Sequence, residues 1–233
     1  LIIAAARPQW GEREEKVMTR GRDVVIALDV SRSMLANDVR PNRLQRAKTD
    51  IMDLVRELRG DRAALLAFRR RAIPLCPLTT DYAFFRQALD GAGPESAPRG
   101  ETDIGQAIRT AIDCFESDSG SHRAIVLISD GEDLAGGARA AAEEAAKKGI
   151  VIFTVGLGSR NGSTVPDPED KSGHAVYRGA PVQSRLDNET LNMIATLTRG
   201  AYVPVETAST AETTLGTLYR DHLRTLASQE LEE

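Results

Sequence analysis

An α/β fold is what this 233-residue sequence predicts: a Rossmann-like, doubly wound and mostly parallel sheet with helices on both faces. Three observations lead there. Short runs of Val, Ile, Leu and Ala, apolar throughout, recur along the chain, as in strands buried on both sides. Amphipathic stretches with apolar residues at helical spacing separate them, the alternation that builds a parallel sheet with crossover helices. The balance of 41% hydrophobic and 27% charged residues is that of an ordinary globular protein, at a length suited to one large α/β domain.

The elements follow in order. Residues 24–29 form a first strand, too short and too β-branched for a helix. Leu44, Ala47, Ile51, Leu54, Val55 and Leu58 then share one face of a helix that Asn42 can cap and Gly60 ends. Ala63 to Phe68 is a second strand, and Arg69-Arg70-Arg71 turns straight into a third, Ala72 to Leu75. So short a connection makes the third strand an antiparallel edge, where Pro74 and Pro77 are tolerated. A short helix over 81–89 and a Gly/Pro-rich loop over 91–100 precede a strongly amphipathic helix carrying Ile104, Ala107, Ile108, Ala111, Ile112 and Phe115. Ala124 to Ser129 is a strand, Ala138 to Lys148 an alanine-rich helix, and Ile150 to Val155 a strand again. Residues 156–183 are polar and rich in Gly and Pro, an insertion too long for a simple turn. A helix near 187–198, a strand near 201–205 and a last helix with Leu215, Leu218, Tyr219, His222, Leu223 and Leu226 on one face complete the domain. The domain therefore runs over 22–226, after a lead-in over 1–21 and before an acidic tail over 227–233.

Composition excludes several functions. A net charge of -4 does not suit a nucleic-acid binder, which needs a clustered basic surface. Three scattered histidines and no Cys/His cluster argue against a zinc site. Cys76 and Cys114 read as buried small hydrophobes, with a single disulfide left open. No stretch reaches the ~20 apolar residues that span a bilayer. The opening Leu1-Ile2-Ile3-Ala4-Ala5-Ala6, followed by Arg7-Pro8-Gln9-Trp10, nevertheless reads as the end of a hydrophobic segment with interfacial residues after it.

In open parallel sheets, ligands bind beyond the carboxyl ends of the strands, where strand order reverses. After the first strand come Asp29, Ser31 and Ser33. After the strand at 124–129 comes Asp130, and Thr102 opens the helix near 104. Taken singly, these residues fit helix caps and turns. Together they are two carboxylates and three hydroxyls at one rim, all oxygen, the donor set of Mg²⁺, Mn²⁺ or Ca²⁺. The Arg69-Arg70-Arg71 turn lies on the same rim if its strand runs parallel to the first, and its charge favours an acidic partner.

Asp29-x-Ser31-x-Ser33, with Thr102 and Asp130, resembles the metal-ion-dependent adhesion site of von Willebrand factor type A domains. Finer text is similar to the bacterial Bat family, membrane-tethered proteins linked with MoxR-type ATPases: Pro41-Asn42-Arg43-Leu44, Gly60-Asp61-Arg62, Pro77-Leu78-Thr79-Thr80-Asp81-Tyr82 and Thr102-Asp103-Ile104-Gly105. The resemblance implies a six-stranded sheet and a non-catalytic interaction module. Asp29, Ser31, Ser33 and Thr102 would ligate Mg²⁺, Mn²⁺ or Ca²⁺ directly or through water, Asp130 would support the ion, and a partner Asp or Glu would complete its coordination. It further implies association coupled to movement of the last helix, and partners among other Bat-type proteins or a MoxR-type ATPase system. The expected location is the bacterial inner membrane with the domain in the periplasm. Arg7, Arg13, Lys16, Arg20 and Arg22 instead favour the cytoplasmic face under the positive-inside rule, so the side stays open.

A Mg²⁺-dependent hydrolase, such as a phosphatase with Asp29 as nucleophile, is the competing class. It would want an acid where Ser31 stands and a lysine after a strand end, and neither is present. His122, His174 and His222 fall at no loop expected to reach Ser31, so a serine nucleophile lacks its base. Gly156-Leu157-Gly158 opens no helix and so offers no pyrophosphate turn.

Overall fold

The structure, a computed structural model, describes residues 21–58, 60–115, 122–167, 170 and 172–205. The expected lead-in, the last helix and its movement, and the acidic tail lie outside the described residues. Strands β1 (Asp23–Asp29), β2 (Arg62–Phe68), β3 (Ala72–Thr79), β4 (Arg123–Ser129), β5 (Val151–Leu157) and β10 (Tyr202–Val205) make one six-stranded sheet. Its order is β10-β5-β4-β1-β2-β3, parallel throughout except for the β2–β3 hairpin.

The uninterrupted apolar strands have the simple cause that both faces of the sheet are covered. Val24, Ile26 and Leu28 face helices α1 (Arg43–Glu57) and α2 (Tyr82–Gly91), against Leu44, Ile51, Leu54, Phe85 and Leu89. Val25 and Ala27 point the other way. They pack with α3 (Ile104–Asp113), α4 (Ala138–Lys147) and α5 (Asn188–Leu197), against Ile104, Ile108, Ala141 and Leu191. Glycines permit the close approach of α3 to the start of α4: a Cβ on Gly105 would stand 2.6 Å from the carbonyl carbon of Gly137. Cys76 and Cys114 are free thiols belonging to opposite faces of the sheet, which explains why they do not pair.

Two strands end later than the sequence expectation. Strand β3 runs on to Thr79 through Pro74 and Pro77, because register shifts opposite β2 accommodate residues that cannot donate to the ladder. Strand β5 continues to Leu157, so the insertion begins two residues later than expected. The insertion also carries structure of its own. β6 (Ser163–Thr164) pairs with β9 (Gln183–Ser184), and β7 (Val176–Tyr177) pairs with β8 (Ala180–Pro181).

Candidate metal centre

Strand order reverses between β1 and β4, and Asp29 and Asp130 sit at the carboxyl ends of those two neighbours. Both are fully buried. The Asp29 carboxylate accepts the Ser31 N–H at 2.8 Å and the Ser129 hydroxyl at 2.7 Å. Beyond Val30 the chain enters a 3-10 turn, Arg32–Leu35, whose Met34 plugs the core. This brings the Ser31 and Ser33 hydroxyls within 2.8 Å of each other. Asp29, Ser31 and Ser33 thus converge within one short segment.

Asp130 is held from the other side. Its Oδ2 accepts the Ser184 hydroxyl at 2.9 Å and Nη1 of Arg43 at 3.1 Å. Gly131 follows at φ +83°, and a Cβ there would lie 2.4 Å from the Asp187 carbonyl oxygen, so the turn requires glycine. Thr102 is nearly buried just ahead of α3, and its carbonyl accepts the Leu134 N–H at 3.1 Å. The Asp133 carboxylate joins the two loops. It accepts the Ile104 N–H at 3.1 Å and the Ala138 N–H at 3.0 Å, capping α3 and α4 together. The segments carrying Thr102 and Asp130 are therefore tied to each other.

The electrostatics of this rim are unfavourable at Asp29. Burial, and then the neighbouring charge of Asp130, push the Asp29 carboxyl from its ordinary 3.8 up to about 7, against the opposing hydrogen bonds of Ser129 and Ser31. Burial likewise raises Glu132, close to Asp130. Among the described residues there is no cluster of three or more His, Cys, Asp or Glu able to hold a metal. The available set is two buried carboxylates with the hydroxyls of Ser31, Ser33 and Thr102. That chemistry fits a hard cation that keeps some of its water, and does not fit a thiolate or imidazole metal.

Because β1 and β2 are parallel, with Asp29 level with Phe68, the Arg69-Arg70-Arg71 turn lies on this same rim. The three arginines differ from one another, however. Arg70 and Arg71 are exposed. Arg69 is only 6% exposed and turns inward, its Nη1 donating to the Pro94 carbonyl at 3.2 Å and its Nε buried without a hydrogen-bond partner among the described residues. Burial among neighbouring groups is why the expected surface charge reduces to two residues here. Sequence reasoning missed Ser129, Ser184, Asp38 and Arg43. Only Arg43 had a signal: it stands four residues before Ala47 and eight before Ile51, on the apolar stripe of α1, and is fully buried there.

The family model of the von Willebrand factor type A domain matches residues 24–132. The crystal structure of BatB, a conserved hypothetical protein from Bacteroides thetaiotaomicron, is 35% identical with a TM-score of 0.81, over 88% of this chain and 100% of that one. An aerotolerance-related membrane protein from Bacteroides fragilis is 32% identical with a TM-score of 0.77, over 91% and 99% of the two chains. At 19% identity and a TM-score of 0.60, over 91% of this chain and 45% of the other, the fold is shared with proximal thread matrix protein 1 of the mussel byssus, described with a zinc-occupied adhesion motif. Of three curated bacterial relatives matched at 30–32% identity, the chain spans 38%, 59% and 64% of the length.

Proposed function

The chain belongs to the von Willebrand factor type A domain family, among proteins like bacterial BatB, and on that premise we propose that it is a non-catalytic, divalent-metal-dependent protein-interaction module. One observation carries this reading. Two fully buried carboxylates, Asp29 and Asp130, stand together at the switch point of the sheet beside paired serine hydroxyls. Arg43 offsets Asp130, but Asp29 accepts hydrogen bonds only from Ser31 and Ser129 among the described residues, and a buried charge so held is costly unless a cation compensates it. Asp29, Ser31, Ser33 and Thr102 would hold Mg²⁺, or Mn²⁺ or Ca²⁺, directly or through water, with Asp130 in support. The ion would supply an open position for an acidic side chain of a partner protein. The zinc described for the distant mussel relative makes the metal itself a variable of the test.

Arg70 and Arg71, exposed on the same rim, would add attraction for such a partner. Partners are proposed among other Bat-type proteins or a MoxR-type ATPase system, with the domain tethered to the bacterial inner membrane and facing the periplasm. The description of the Bacteroides fragilis relative as a membrane protein supports the tether. Within the described residues no helix is long and apolar enough to cross a membrane.

The test is calorimetric titration of Mg²⁺, Mn²⁺, Ca²⁺ and Zn²⁺ into chelator-stripped protein, beside Asp29→Ala and Asp130→Ala. Binding at one site in the wild type and loss in both variants is the expected result. Undiminished binding in both variants would put the ion elsewhere and end this reading.

A further inference from the structure

The insertion between β5 and α5 is built onto the candidate metal rim. The Ser159 N–H donates to Asp38 Oδ2 at 2.7 Å, the Arg185 N–H to Glu132 Oε1 at 3.0 Å, and the Asp187 N–H to the Asp130 carbonyl at 2.8 Å. Arg32, flanked by Ser31 and Ser33, reaches Asp167 of the insertion at 2.7 Å. At the centre of these links is Arg43, whose side chain is wholly inaccessible to solvent. Its guanidinium forks onto Asp38, Nε to Oδ1 at 2.8 Å and Nη2 to Oδ2 at 2.7 Å. Nη1 donates both to Asp130 Oδ2, at 3.1 Å, and to the Ser184 hydroxyl, at 2.8 Å, while that hydroxyl donates its own proton to Asp130. Gly158, at φ +136°, lies so close that a Cβ would stand 2.7 Å from the guanidinium carbon.

We propose that Arg43 is a positioning residue that makes the metal site and the insertion a single unit, with Ser184 as the joint. Arg43 and Ser184 hold Asp130 in place as the supporting carboxylate, and the same contacts seat Ser159 and residues 184–187 beside the ion. The insertion is then a second wall for whatever acidic partner ligates the cation. The proposal rests on the reading of the rim as a cation centre.

The physical argument is linkage. A planar guanidinium makes these four hydrogen bonds at once, forking onto Asp38 while serving Asp130 and Ser184, one more than the three donors of an ammonium can make. If seating the insertion strengthens cation binding by some factor, the cation stabilises the seated insertion by the same factor. Partners of metal-ligating groups typically change affinity by about 10–100-fold when removed.

The experiment uses Mn²⁺ as the probe, on wild type, Arg43→Lys and Ser184→Ala. Calorimetry measures affinity, and hydrogen exchange compares amides in excess chelator and in saturating Mn²⁺. In the wild type, Mn²⁺ should slow exchange at Ser159, Arg185 and Asp187. Both variants should bind Mn²⁺ about tenfold or more weakly and lose that protection. If Arg43→Lys does not fold, Ser184→Ala, which removes one hydroxyl, decides alone. Wild-type affinity in Ser184→Ala, or exchange in the insertion indifferent to Mn²⁺, overturns the coupling while the metal reading stands. No Mn²⁺ binding by the wild type, either alone or with an Asp-containing peptide present, overturns both.

Discussion

Asp29 is where burial and function pull against each other. Its folded-state carboxyl titrates near 7 and its ordinary value is 3.8, so the native protein without metal holds that proton more tightly than the unfolded chain does. The stabilising contribution is complete below about pH 4 and is lost as pH rises through about 7. Cation binding runs the other way, because the ion must displace the proton, and so affinity should climb over the same window. Asp29→Asn separates the two effects. In chelator at pH 8 the variant is expected to be more stable than the wild type by on the order of 1–3 kcal/mol, with the gain shrinking towards pH 4. It should also show no response to Mg²⁺. Urea denaturation at pH 5 and pH 8 measures this difference, and a gain independent of pH would remove Asp29 titration as its cause.

At the scale of elements, the loops that carry Thr102 and Asp130 are joined by a residue outside the proposed ligand set. Asp133 satisfies the first turns of both α3 and α4. Asp133→Ala leaves two N–H groups without an acceptor and should cost about 1–3 kcal/mol, with Asp133→Asn intermediate because one acceptor oxygen remains. Denaturant midpoints of the three proteins give that order directly. Asp133 also shows why sequence legibility was uneven. The central strands β1, β2, β4 and β5 could be read because burial on both faces leaves an uninterrupted apolar run, and α3 because Ile104, Ile108 and Ile112 repeat at helical spacing. The residues quoted for the site follow strand ends, where a parallel sheet collects ligands. The rest depends on contacts between distant segments. Ser184 meets Asp130 across 54 residues, and Ser129 meets Asp29 across 100, and no local pattern marks either serine. Pairings of two residues, as in β6–β9 and β7–β8, carry no periodicity to detect. Arg43, like Asp50 on the same helix, broke a visible rule, a charge on an apolar stripe, and such a charge calls for a buried partner.

On the scale of the whole molecule, the proposed ligands come from three segments, at 29–33, 102 and 130, that the unfolded chain keeps far apart. A cation held by them acts as a cross-link that exists only in the folded state. A ligand that binds only the native form stabilises it by RT ln(1 + [L]/Kd), about 2.7 kcal/mol at a hundredfold excess over Kd. For a domain of this size that corresponds to a rise in Tm of roughly 5–10 °C. Thermal unfolding in chelator and in saturating Mg²⁺ should therefore differ by that amount at pH 8, and by less at pH 5, where protonated Asp29 competes with the ion. Asp29→Ala should remove the difference at both pH values, because it takes away a ligand while leaving α1 to α5 and the sheet in place. A wild-type Tm unchanged by millimolar Mg²⁺, Mn²⁺ and Ca²⁺ would mean that the rim does not hold a hard cation by itself. Repeating the melt with an Asp-containing peptide present then separates a site completed by the partner's carboxylate from a rim that binds proteins without metal: only the first gives a Tm that rises when peptide and metal are added together.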